Sequence, residues 1–322
     1  MSRVTAGGGT DMISLGVDVG GTFVRAVLLE PGVATFLGRV RTPEDAADLE
    51  PILRSLRRAV VRRPNSVGLG LAASVDPSGR IDRWPNRPAW RGLRIHELVE
   101  RVFSVVPISL DDCEAAVTAE HVAATFEGHR QRTTTLYVGV GTGVGAGAVI
   151  EDRLYRGSRR AVLDLGHVAV ASAADTPCRC GRRGCLQSVA SGLVLDRAAV
   201  AAGLPPDKVA VAVRRGDDCA RRLLAPLLEP LGEGIEMALR IVDPDRVVVG
   251  GGLAEAGEPF LDGLRQRLTG VGFTQPIYRS HYVEMSGAIG AALSATLNGR
   301  DGLYQQAALR DLRIAGAASD DW

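Results

Sequence analysis

The stretch Asp18-Val19-Gly20-Gly21-Thr22, DVGGT, breaks an otherwise apolar run, ISLGVDVGGTFVRAVLL, that extends from Ile13 to Leu29. Ile13–Val17 reads as a buried strand and Val24–Leu29 as its return, so the five residues between them form the turn of a hairpin. Glycines there admit positive φ and bring backbone N–H groups close to an anion with no Cβ in the way. Asp18, Gly20, Gly21 and Thr22 are therefore candidates for binding a polyphosphate. The Thr22 hydroxyl supplies a further donor, and Asp18 can hold water on a magnesium ion. Alone, the motif is equally compatible with an ordinary hairpin turn.

The pattern recurs. Thr134–Val140 reads as a strand, GTGVGAG (141–147) as a glycine turn carrying Gly141, Thr142 and Gly143, and Ala148–Ile150 as the return strand. Two such turns can clamp one polyphosphate from both sides. A third cluster, VVVGGGLAEAG (247–257), ends a strand at a helix start, where a nucleoside could lie against Gly251 and Gly252. None is a dinucleotide fingerprint, because no helix opens directly after the first two turns, and no Gly-Lys-Ser/Thr of a Walker loop is present.

Working outward, 43–62 has helical spacing, 67–72 is a strand, and 74–91 is a loop rich in Pro, Asn, Gly and Trp. A strand over 106–110 runs into Asp111 and Asp112, and CEAAVTAEHVAATF is a strong helix former. Helices are expected over 221–242 and 258–268, and MSGAIGAALSAT reads as a small-residue, tightly packed helix. The order implies an α/β chain of two related lobes. Its expected parts are a flexible leader (1–12), an N-terminal lobe (13–111), a C-terminal lobe (112–285), a helix returning to the first lobe (286–299) and a frayed tail (300–322). At 322 residues a large core is available.

A net charge of +1 gives no electrostatic reason to expect nucleic acid or an anionic membrane. No apolar run reaches the roughly 18 residues of a membrane span, and the leader lacks the apolar core of a signal peptide. A cytoplasmic location is expected, where clustered thiols are more often metal ligands than disulfides.

Three of the five cysteines stand in CRCGRRGC. Cys178, Cys180 and Cys185 have C-x-C-x4-C spacing, and His167, eleven residues upstream, offers the fourth ligand of a closed tetrahedral zinc site. Such a site organises a loop and performs no chemistry. Buried, unligated thiols remain the reading for Cys113 and Cys219. Upstream of the cysteines, Asp112 fits a positioned carboxylate that accepts a hydroxyl proton during phosphoryl transfer. Both Asp111 and Asp112 could instead merely cap the following helix, and Asn86 in PNRPAW could be a turn former.

DVGGT, GTGVGAG and VVVGGGL in this order resemble the actin-like ATPase superfamily of sugar kinases, and more narrowly the ROK family, over about Ile13 to Leu297. The resemblance implies two lobes with ATP and sugar in the cleft between them, magnesium, structural zinc and a homodimer. It implies that Asp112 is the base, that Asn86 contacts sugar hydroxyls, and that His167 serves zinc and sugar together. The family pattern Asn-Asp-Ala-Asn is here Asp111-Asp112-Cys113-Glu114. Its two sugar-binding glutamates, in Glu-x-Gly-His and C-x-C-G-x-x-G-C-L-Glu, are here Asp164 and Gln187. Asp111 loses a donor, Asp164 is shorter by a methylene, and Gln187 gains a donor while losing charge. Sites built to hydrogen-bond hydroxyls discriminate strongly, so plain glucose is a poor fit.

The expectation is an ATP-dependent kinase acting on an exocyclic primary hydroxyl. An amino sugar, a modified hexose or a carbocycle suits the altered ring readers, with a C7-cyclitol of the valiolone type preferred. A hexose or N-acetylhexosamine 6-kinase is the alternative. A non-catalytic sugar sensor of the family is opposed by the twelve residues before Ile13, too few for a DNA-binding domain, and by the intact turns and Asp112.

Overall fold

In the computed structural model, which describes residues 12–126, 132–158, 163–296 and 313–315, the DVGGT turn joins β1 (Ser14–Val19) to β2 (Phe23–Glu30). β1 is buried along its whole length, as expected of a strand covered on both faces. β3 (Val33–Arg41) alternates buried and half-buried residues and follows β2 antiparallel, with a register shift at Ala26/Val27. α1 (Leu49–Ala59) then leads to β4 (Ser66–Leu71), the ribbon of β5 (Ser74–Val75) and β6 (Ile81–Arg83), α2 (Ile95–Phe103) and β7 (Ile108–Asp111). β4 runs parallel to β1 and β7 parallel to β4, giving the order β3-β2-β1-β4-β7.

α3 (Asp112–Phe126) precedes the second sheet, which repeats this topology. β8 (Thr135–Val140), β9 (Val144–Ile150) and β10 (Arg153–Tyr155) form the antiparallel part. After the cysteine segment come α4 (Gly192–Ala201), α5 (Val209–Arg214) and α6 (Asp218–Val242). β11 (Arg246–Gly250), α7 (Glu258–Thr269) and β12 (Ile277–Arg279) complete the order β10-β9-β8-β11-β12. β11 is parallel to β8, and β12 to β11. The chain returns through α8 (Ser286–Thr296), and β13 (Arg313–Ala315) adds a parallel edge strand beside β3.

Small residues decide the layering. α8 lies on the first sheet so closely that a Cβ at Gly16 would overlap the Ala288 carbonyl, and one at Gly68 the Ala291 carbonyl. α3 lies on the second sheet, where a Cβ at Gly147 would overlap the Cys113 carbonyl. The two helices meet at Gly290 and Ala115. Separate apolar clusters fill the outer faces, one around Leu15, Leu69, Leu53 and Trp90, the other around Val138, Val249, Leu231 and Phe260. Each large side chain removed from water there contributes about 1.5–3 kcal/mol.

The expected hairpins, the α/β class and the helix over 258–268 are present, and the helix expected over 286–299 is present over 286–296, positions 297–299 lying outside the described residues. The helix expected from 221 begins at Asp218, because the Asp217 side chain caps it by accepting from Ala220 N at 2.8 Å. The expected loop over 74–91 contains β5, β6 and a 3-10 turn at Pro88–Trp90. α2 was missed although Ile95, Leu98, Val99, Val102 and Phe103 fall at helical spacing and are buried. The leader before residue 12 and the tail, apart from 313–315, lie outside the described residues. Among the described residues no helix is long and apolar enough to cross a membrane.

Candidate active site

The carboxyl ends of the parallel strands carry the candidate residues. Asp18 is the last residue but one of β1, β7 ends at Asp111, β8 ends at Val140 just before the 141–143 turn, and β11 ends at Gly250 just before Gly251. This is where open α/β sheets bind ligands.

The two glycine turns meet tip to tip. Thr22 Oγ1 and Thr142 Oγ1 share a hydrogen bond at 2.8 Å, and a Cβ at Gly21 would stand 3.3 Å from the Thr142 side chain. The carbonyls of the first turn are held from one side: Thr42 Oγ1 donates to Gly20 O at 2.7 Å and Thr42 N to Thr22 O at 2.9 Å. In the second turn, Gly192 N at the start of α4 donates to Gly141 O at 2.7 Å. Gly251 has φ of 79°, and a Cβ there would lie 2.6 Å from Val140, so only glycine fits where β11 passes the end of β8. Gly252 opens the 3-10 turn Gly252–Ala256 and has open space beside it.

Asp18 is 8% exposed and pairs with Arg25 Nη1 at 3.7 Å. Burial pushes its carboxyl up to about 7; Arg25 opposes this and the Asp112 charge adds to it. Room for Asp18 is left by Gly287, since a Cβ there would come within 2.8 Å of its carboxyl carbon. This glycine was not singled out from the sequence; the small-residue run of α8 was the available signal.

Asp112 occupies the first turn of α3. Capping, considered for both aspartates, belongs to Asp111. Its Oδ1 accepts from Cys113 N at 3.0 Å, while Glu114 Oε2 accepts from Asp111 N at 3.1 Å, a reciprocal capping box. Arg156, just after β10, reaches Glu114 at 3.3 Å and Ser109 O at 2.8 Å, bracing this corner from the second sheet. The Asp111 side chain reaches solvent, yet the protein around it raises its carboxyl well above the usual range, by desolvation first and then by repulsion from Asp112. Cys113 is buried behind the pair and its thiol is pushed up by desolvation and both aspartates, so it is an inert thiol. Cys219, expected to be buried, is only half-buried on α6, because it follows Asp218 on a turn whose buried position is Ala220.

Beside the second turn, the cysteine segment folds through 3-10 turns at Leu165–His167 and Leu186–Ser188 and a bridge between Ala169 and Cys185. One ligand atom from each of His167, Cys178, Cys180 and Cys185 lies within 4.8 Å of the others. Cys180 and Cys185 sulfurs are 3.7 Å apart, and His167 Nδ1 is 3.7 Å from Cys178 Sγ. A tetrahedral zinc with Zn–S of about 2.3 Å needs sulfurs about 3.8 Å apart, so the four residues fit a structural zinc through Nδ1. Desolvation lowers the His167 pKa, with Asp164 opposing and Arg182 and Arg83 adding, the direction that suits a metal ligand.

Gln187 connects this loop to the phosphate side. Its Nε2 stands 3.5 Å from His167 Nε2 and 3.7 Å from Cys178 Sγ, and a Cβ at Gly143 would come within 2.8 Å of its Oε1. Asp164 is exposed at the start of the His167 turn and is felt electrostatically by His167. Asn86 is half-buried beside Arg87, whose guanidinium touches the first turn. Thus the structure brings together Thr22 with Thr142, Gln187 with His167 and Gly143, and Asp18 with the Asp112 charge, while Asn86 and Asp164 stand on neighbouring loops. Arg87 and Gly192 were missed, and a lone arginine or a glycine after a serine gives little sequence signal.

A family model described as "ROK family" matches residues 14–296. The chain is 33% identical over 256 residues to a kanosamine kinase of Amycolatopsis mediterranei, covering 76% of this chain and 82% of the relative. It is 28% identical over 310 residues to a glucokinase of Thermotoga maritima, covering 86% and 95%. A crystal structure of a ROK family glucokinase from Streptomyces griseus in complex with glucose and AMPPNP superposes with a TM-score of 0.77 at 26% identity, covering 88% of this chain and 99% of that one.

Proposed function

The chain belongs to the ROK family and is a sugar kinase, and from that premise we propose that it transfers the γ-phosphoryl group of ATP to the exocyclic primary hydroxyl of an amino hexose. The observation that carries this reading is the pairing of two touching glycine turns with three carboxylates, Asp18, Asp111 and Asp112, at one set of strand ends. The turns hold the polyphosphate through backbone N–H groups. Asp18, with its charge already costly, gains most from a magnesium ion and its water nearby. Asp112 accepts the hydroxyl proton as the sugar oxygen attacks the γ-phosphorus and ADP leaves. His167, Cys178, Cys180 and Cys185 would hold a zinc ion, which would fix the loop that carries Asp164 and Gln187.

The substrate class follows from charge. Asp111 and Asp112 set two carboxylates side by side where the family pattern has one beside an asparagine, and a sugar ammonium donates to such an acceptor-only pair with a charge assistance that a hydroxyl lacks. The similarity to a kanosamine kinase supports the amino sugar over the C7-cyclitol preferred from sequence. Kinetics with glucose, amino hexoses, N-acyl amino hexoses and cyclitols test it. Amino hexoses are expected to have the highest kcat/KM, and Asp111→Asn to move preference toward neutral sugars by at least about tenfold. A cyclitol or glucose preferred by wild type would overturn the substrate class, and no transfer to any ring would overturn the activity.

A further inference from the structure

We propose that Arg87 is a positioning residue that sets the phosphate-binding face of the first glycine turn and ties it to the sugar-side loop. Its side chain is only 10% exposed, yet its donors go to main-chain oxygens. Nε and Nη2 donate to Gly21 O at 3.2 and 2.8 Å, and Nη1 donates to Pro43 O at 2.7 Å. Its carboxylate neighbour is Glu44, 3.4 Å from Nη1 and itself 96% exposed, so most of the positive charge stays uncompensated behind the turn. The 21–22 peptide is trans, as are all described peptides, so its N–H points away from Arg87 as its C=O points toward it. A charged donor on that carbonyl polarises the peptide and strengthens the Thr22 N–H as a donor to phosphate. Thr42 fixes the neighbouring carbonyls of Gly20 and Thr22. Of the two anchoring residues, Arg87 alone carries charge, and it alone comes from the loop bearing Asn86.

The inference rests on the proposed function, in that the turn binds ATP phosphates. Calorimetry on the full chain with AMPPNP, AMP and adenosine, beside kcat and KM for ATP and sugar, tests it with Arg87→Met and Arg87→Lys. The methionine variant is expected to bind AMPPNP about tenfold more weakly, the worth of one charge-assisted hydrogen bond. KM for ATP should rise in parallel, adenosine binding should stay within about twofold, and lysine should restore part of the loss. Unchanged AMPPNP affinity, or equal weakening of adenosine, overturns the proposal. A wild-type protein that binds no AMPPNP removes the underlying reading as well, so the two failures are distinguishable.

Discussion

The two sheets share one topology but not one chemistry. In the first, the last hairpin pair before Val19 and Val24 is Asp18 opposite Arg25; in the second, the pair before Val140 and Val144 is Gly139 opposite Gly145. The first hairpin has room for charge because Gly287 has no side chain to crowd Asp18. The second has room for nothing, since Cys113 Sγ would lie 3.2 and 2.8 Å from Cβ atoms at Gly139 and Gly145. One repeat therefore carries an acid at its turn, and the other gives that space to the helix that carries Asp112. A duplicated scaffold becomes a catalytic cleft when side chains are removed from one half and charged ones are kept in the other.

The largest expected effect tests the end of that helix. Asp112→Asn should lower kcat by 10²–10⁴-fold while AMPPNP affinity stays within about threefold; a variant that keeps more than a tenth of wild-type kcat excludes Asp112 as the base. Next, if His167, Cys178, Cys180 and Cys185 hold zinc as proposed, chelation followed by melting and sugar titration should lower stability and sugar affinity together, by several degrees and about tenfold. Unchanged melting after metal analysis proves the ion gone would remove the metal from the scaffold.

Gly147→Ala forces a Cβ onto the Cys113 carbonyl and should cost about 3 kcal/mol, measured by urea unfolding. Gly145→Ala meets only a thiol, so it should cost less and be relieved by Cys113→Ala.

Asp18 gives a pH signature that the second hairpin lacks. Burial raises its pKa from 3.8 to about 7, so the folded state keeps a proton that the unfolded state releases. Its contribution is present below pH 3.8 and is lost as pH rises toward 7. Asp18→Asn should match wild-type melting near pH 4 and exceed it by roughly 2 kcal/mol at pH 8, once relaxation around the charge is allowed for. Parallel curves would show that the buried carboxyl is not protonated. The smallest effect is Thr142→Val, which removes the hydroxyl bond between the turns and should cost less than about 1 kcal/mol in stability while raising KM for ATP more visibly.

Much of this was legible in the chain because glycine turns, the C-x-C-x4-C spacing and the strand ending in Asp111-Asp112 are local patterns with local physical causes. Hydrophobic runs and turn glycines specified the hairpins, and thiol spacing with His167 specified a ligand set. What was not legible depended on residues far apart in the chain. Arg87 reaches Gly21 across 66 positions, Thr22 meets Thr142 across 120, and Gly287 makes room for Asp18. The capping by Asp111 had a local signal, since Glu114 stands three positions on, whereas the Arg156 brace that reaches Glu114 from the other sheet across 42 positions had none. The sequence by itself determined which backbones turn and which side chains are charged; the tertiary structure alone decided which charges face one another, because mutual repulsion and burial act between neighbours in space.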